Sequence, residues 1–166
     1  NFFDLSPDKK ILNPYLLAEA GVNHEGSMEL AKKMIDEAKE GGADGIKFQT
    51  YKADTLASKN SPSYWDLSEE PLKSQFELFK KYDKFWKKEY EQLKLYCDKV
   101  DLDFLSTPFD FESAKFLNDL MDCYKISSSD ITNIPFIEFI CSFKKPIILS
   151  TGASYVEEIE KVVKNI

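Results

Sequence analysis

The segment Gly45-Ile46-Lys47-Phe48-Gln49-Thr50 decides how the rest of the chain is read. Ile46 and Phe48 alternate with Lys47 and Gln49, which is the period-two pattern of a strand with two unlike faces. Just upstream, Leu30, Ala31, Met34, Ile35 and Ala38 share one face of a helix. Ser27 stands at its N-cap position and Gly41-Gly42 at its stop. An earlier apolar run, Tyr15-Leu16-Leu17-Ala18-Glu19-Ala20, completes a strand–helix–strand unit.

The same rhythm continues downstream. Trp86, Tyr90, Leu93, Cys97 and Val100 predict a helix leading into a strand at Asp103-Phe104-Leu105-Ser106-Thr107. Asp110 opens a helix with Ala114, Leu117 and Leu120 on one face, ahead of the strand Tyr124-Lys125-Ile126-Ser127. Asn133 and Pro135 start a helix carrying Ile137, Ile140 and Cys141, ahead of the strand Ile147-Ile148-Leu149-Ser150. Ser154-Tyr155-Val156-Glu157 reads as a capping box, with Val156, Ile159, Val163 and Ile166 on the last helix.

Five strand-then-helix units in a row predict an α/β fold, a parallel sheet with helices on its faces. Two architectures fit: an open doubly wound sheet, or part of a (β/α)8 barrel. A whole barrel needs roughly 200 residues or more, so the second makes this 166-residue chain a portion of a larger protein. The rhythm breaks once, between residues 52 and 83. Ser58 to Ser63 reads as loop, and Leu72, Phe76 and Phe79 suggest a short helix. An excursion of this length either serves function or folds locally.

Composition narrows the function. Hydrophobic residues at 43% and aromatics at 14% can build a core and argue against disorder. With 22 basic and 29 acidic residues the net charge is −7, so no basic footprint for nucleic acid is expected. No apolar run approaches the roughly 18 residues of a membrane span. The start, Asn1-Phe2-Phe3-Asp4, has neither an initiator Met nor a signal-peptide pattern. Cys97, Cys123 and Cys141 are an odd set, each in an apolar or amphipathic run. They are expected to be reduced core thiols of a cytoplasmic protein.

Ligands gather at the C-terminal ends of strands in both architectures. All five ends here are polar: Glu19; Lys47, Gln49 and Thr50; Ser106 and Thr107; Lys125 and Ser127 to Asp130; Ser150 and Thr151. Lys47 and Lys125 lie within strands and face away from their apolar neighbours. Ile46 and Phe48 are expected under the helices, with Lys47 and Gln49 on the other side of the sheet or in a barrel interior. A buried ammonium is costly unless paired, and two that converge invite an anion. Thr107, Ser128 and Ser150 could donate to phosphate or carboxylate oxygens. The plainer alternative is that each lysine snorkels to the rim or pairs with a nearby carboxylate. Glu19 is either such a salt-bridge partner or a ligand for substrate hydroxyls. His24, the only histidine, sits in a turn rich in Asn and Gly and is expected to hydrogen-bond backbone. One His and scattered acids give no metal-ligand spacing.

The segments Ala18 to Gly26 (AEAGVNHEG), Lys47 to Thr50 (KFQT), Leu105 to Phe109 (LSTPF), Tyr124 to Ser128 (YKISS) and Lys145 to Gly152 (KPIILSTG) together resemble the N-acetylneuraminate (sialic acid) synthase family. They occur in order and span nearly the whole chain from Tyr15. The resemblance implies a (β/α)8 barrel followed by a small antifreeze-like domain that reaches the partner subunit. Residues 15–166 would be the N-terminal part of that barrel, behind an extension at 1–14, with the later strands and the second domain outside the chain. It implies condensation of phosphoenolpyruvate with N-acetylmannosamine or a related amino sugar in a homo-oligomer. A divalent metal, manganese or magnesium, would assist, held by histidines on later strands. Carried over position by position, Lys47, Thr107, Lys125, Ser128 and Ser150 would bind phosphoenolpyruvate. Glu19, Gln49 and Asp130 would face the sugar or its aldehyde. Two readings stand beside this one. One is a half-barrel that binds an anion without turnover. The other is an unrelated open α/β fold for a phosphorylated ligand, although the turn Gly21 to Gly26 lacks G-x-G-x-x-G.

Overall fold

The computed structural model describes residues 14–166, so the expected extension at 1–14 lies outside the described residues save Pro14. Five strands appear: β1 (Leu17–Gly21), β2 (Gly45–Thr50), β3 (Asp103–Pro108), β4 (Tyr124–Ile126) and β5 (Ile147–Leu149). Helix α1 (Met28–Glu40) joins β1 to β2. Helices α2 (Ala53–Leu56), α3 (Gln75–Tyr82) and α4 (Lys87–Lys99) lie between β2 and β3. Helices α5 (Phe111–Leu117), α6 (Ile134–Cys141) and α7 (Val156–Val163) follow β3, β4 and β5.

All the strand pairs are parallel. β1, β2 and β3 form one hydrogen-bonded set and β4 and β5 another, with β3 and β4 side by side. Spatial order therefore follows chain order from β1 to β5. A doubly wound sheet must reverse direction at a switch point, and none occurs here. The order is that of a barrel wall, which decides between the two architectures.

Sequence pattern explains the layering. Ile46 and Phe48 point outward into a core shared with Ala31 and Ile35 of α1, Leu93 and Cys97 of α4, and Phe104 of β3. Burying each large side chain there contributes about 1.5–3 kcal/mol. Lys47 and Gln49 face the opposite way. A second, smaller cluster on that inner side joins Leu105 and Cys123 with Tyr15 and Leu17. The three cysteines are free. Burial pushes the Cys97 thiol up to about 12 and the Cys123 thiol up to about 11, which keeps both protonated and unreactive.

Helix caps fall largely where expected. Ser27 Oγ accepts from Leu30 N at 3.2 Å, and Asp110 Oδ1 accepts from Ser113 N at 2.7 Å. Three details differ. Leu72 lies ahead of α3, which begins only at Gln75, and Leu120 and Ile166 fall beyond the ends of α5 and α7. The last capping box sits one residue later: Tyr155 N donates to Glu158 Oε2 at 2.8 Å, while Ser154 Oγ is used in its own turn, on Gly152 O at 3.1 Å. Among the described residues, no helix is long and apolar enough to cross a membrane.

Candidate active site

The inner face of the sheet gathers the polar strand ends. Lys47 on β2 is almost enclosed, with 9% of its side chain exposed. Its ammonium pairs with Glu19 Oε2 on β1 and donates to Thr107 Oγ1 on β3 at 3.3 Å. Lys125 on β4 donates to Ser150 Oγ at 2.5 Å, just past β5, and to Ile126 O at 2.9 Å. Burial holds the Lys125 ammonium below the usual lysine range. The Lys47 charge lowers it further, and Glu19 opposes both effects. That mutual influence means the two ammonium groups and the carboxylate share one mouth.

Pairing of a lysine with a nearby carboxylate is thus realised for Lys47, and Glu19 is its salt-bridge partner. Yet the Glu19 side chain is 55% exposed, so its carboxylate also faces the open interior. Gln49 joins this group. A side chain placed at Gly21 would stand 3.6 Å from Glu19 Oε1 and 3.8 Å from Gln49 Cδ, so both flank the same bare backbone. Because the ammonium groups donate to Thr107 and Ser150, each hydroxyl proton is left to point elsewhere, toward an incoming anion. The arrangement offers two cations, one carboxylate and two polarised hydroxyls.

The fourth strand ends in a single 3-10 turn, Ser128–Asp130. Ser127 Oγ accepts from Ser129 N at 3.3 Å and fixes the turn. Ser128 meets the end of β5: a side chain at Gly152 would lie 3.4 Å from Ser128 Oγ. Asp130 ends the turn with Oδ2 buried and without a hydrogen-bond partner. Burial raises its carboxyl above the usual range, opposed by a hydrogen bond with Asn133. The structure thus brings Glu19, Lys47, Gln49, Thr107, Lys125 and Ser150 together and sets Ser128 against the β5 tip. Asp130 stands at the end of its turn.

His24 plays the structural part expected of it. It is fully buried, stacks on Phe85 with ring centres 4.2 Å apart, and accepts from Gly26 N through Nδ1 at 3.1 Å. Gly26 has φ +80°, and an added Cβ would lie 2.6 Å from Lys84 Cγ, so glycine is needed there. The divalent ion that the resemblance implies finds no fitting donor set: among the described residues, no group of three His, Cys, Asp or Glu is placed to hold a metal.

One part of the site escaped the sequence reading. The excursion after β2 folds over the mouth and encloses a cavity of about 570 Å³. Gln49 and Ser129 line it together with Tyr51, Phe79, Tyr82 and Phe109. Tyr51 packs edge-on against Phe79 and Phe109, at 5.6 and 6.1 Å. The two roots of the excursion are tied together. Lys52 Nζ donates to Asp83 O at 2.7 Å and Phe85 O at 3.2 Å, and Ala53 N donates to Asp83 Oδ2 at 3.0 Å. The density of aromatics between 51 and 82 was the available signal.

Comparison with known proteins agrees with this geometry. Residues 34–166 match the NeuB family. N,N'-diacetyllegionaminic acid synthase of Campylobacter jejuni is 41% identical over 151 residues, covering 89% of this chain and 45% of that protein. N-acetylneuraminate-9-phosphate synthase of Drosophila melanogaster is 34% identical, covering 97% and 44%. The chain thus spans less than half the length of these relatives. The crystal structure of N-acetylneuraminic acid (sialic acid) synthetase from Leptospira borgpetersenii, in complex with citrate, superposes with a TM-score of 0.80 at 35% identity, covering 92% of this chain and 50% of that one. A truncated 3-deoxy-D-arabino-heptulosonate 7-phosphate synthase from Thermotoga maritima shares the fold, with a TM-score of 0.65 at 17% identity.

Proposed function

The chain belongs to the NeuB family, and from that premise we propose that it is the N-terminal part of a (β/α)8 synthase barrel. The reaction is condensation of phosphoenolpyruvate with N-acetylmannosamine or a related amino sugar, giving a sialic-type (nonulosonic) acid and phosphate. The observation that carries this is the meeting of Lys47 and Lys125 at one mouth with Glu19, Thr107 and Ser150.

The enol carbon of phosphoenolpyruvate attacks the sugar aldehyde, which forms the carbon–carbon bond. Water adds at the former enol carbon, and phosphate leaves with the electrons of the broken C–O bond. Lys47 and Lys125 neutralise the phosphate and carboxylate, and Thr107, Ser128 and Ser150 donate to their oxygens. Glu19, Gln49 and Asp130 face the sugar. Holding the two reactants at one rim removes much of the entropic barrier, and fixed charges favour the transition state. The outer edges of β1 and β5, which have no strand partner among the described residues, are covered by later strands and a second copy in the natural protein.

The test uses the full-length protein that carries this chain. Phosphate release from phosphoenolpyruvate should depend on N-acetylmannosamine or a related amino sugar. Lys125→Met should weaken phosphoenolpyruvate binding about 100-fold without changing the circular dichroism spectrum. Unchanged affinity in that variant removes Lys125 from the site. Binding without any sugar-dependent phosphate release defeats the synthase reading.

A further inference from the structure

The aromatic cavity bears on which sugar is accepted, and the inference rests on the synthase reading. The cavity opens beside Gln49, at the same rim as the lysine pair, so a sugar with its aldehyde at that pair extends its far end into the cavity. Val22, Tyr51, Leu78, Phe79, Tyr82 and Phe109 make most of the wall. Such rings and branched chains favour C–H faces and methyl groups. The polar members, Gln49, Gln75 and Ser129, carry no charge, and no lysine lines the space. The chain contains no arginine: all 22 of its basic residues are lysines. A phosphate ester there would be stripped of water with no cation to receive it, and phosphate binding depends on such cations.

We propose that this cavity seats an uncharged acceptor sugar through its apolar substituents, acetamido methyls or a deoxy carbon, and rejects the same sugar carrying a phosphate ester. The excursion between residues 52 and 83, with Tyr51 and Phe109 at its borders, is then the specificity element of the site.

The experiment compares N-acetylmannosamine with N-acetylmannosamine 6-phosphate on the full-length protein, reading kcat/KM from phosphoenolpyruvate-derived phosphate. The uncharged sugar should be preferred by about 100-fold or more. Gln75→Lys, a change on the partly exposed rim, should narrow the preference at least about tenfold by supplying a cation, and Leu78→Lys provides a second placement. Equal or better use of the 6-phosphate by the unmodified protein overturns the inference and leaves the synthase reading standing. A preference that neither lysine variant narrows also overturns it. Turnover of neither sugar overturns both.

Discussion

Replacing His24 with glutamine isolates one titration. The imidazole is sandwiched in the core, 4.2 Å from the Phe85 ring centre and 6.0 Å from that of Phe48. Nδ1 accepts from Gly26 N, so the ring proton of the neutral form sits on Nε2, which is buried and has no partner. Protonating Nδ1 would break the Gly26 bond and leave a charge among aromatic rings. Burial accordingly lowers the His24 pKa from 6.5 to about 4. The sign follows from linkage: the unfolded chain takes up its proton first, so stability falls as pH drops through 6.5 and levels off near 4. Between pH 7 and pH 5 the loss is about 2 kcal/mol. Glutamine is neutral in both states and its amide oxygen can still accept from Gly26. Urea denaturation of both proteins at the two pH values should therefore show the gap between them changing by about 2 kcal/mol against the wild type as pH falls. A gap that stays constant refutes the reasoning, as does an imidazole NMR resonance, assigned by its loss in the variant, that titrates near 6.5.

Two further outcomes follow from the site and its supports. Lys125 loses its proton below the ordinary lysine range, so phosphoenolpyruvate binding should weaken on the alkaline side earlier than for an unperturbed lysine. Glu19→Gln removes the charge that opposes this shift and should move the limb to lower pH, as read by isothermal titration calorimetry; no movement, or movement upward, contradicts the shared mouth. Asp110→Ala removes the α5 cap on Ser113 N and the 3.0 Å bond from Thr55 Oγ1. It should cost about 1–2 kcal/mol in urea denaturation, and an unchanged midpoint would deny the cap its role.

The barrel wall was legible because period two and period 3.6 alternate cleanly. Ile46 and Phe48 against Lys47 and Gln49 gave both the strand and its two faces. Strand order was not legible, since alternation alone fits a doubly wound sheet as well as a barrel; only the register of β1 on β2 and β2 on β3 decides it. The lysine pair could be inferred from the cost of burying ammonium groups. That Glu19 would satisfy Lys47 while Lys125 would turn to Ser150 could not, because partner choice depends on side-chain positions across neighbouring strands. The cavity was hidden for a related reason. Tyr51, Phe79 and Phe109 are distant in sequence and meet only when the excursion folds back. Ser154 was read as a cap although its hydroxyl had a nearer carbonyl at Gly152, a competition between local hydrogen bonds that spacing does not resolve.

The knot of bonds among Lys52, Ala53 and Asp83 sets the base of the excursion independently of its tip. Closing those ends locally means that the length and contents of the intervening segment add little further entropic cost, since closure entropy grows only slowly with loop size. The segment is thereby a replaceable cassette: its aromatic content can be rewritten, or transplanted into another barrel of this kind, while the lysine-bearing strands beneath keep their register.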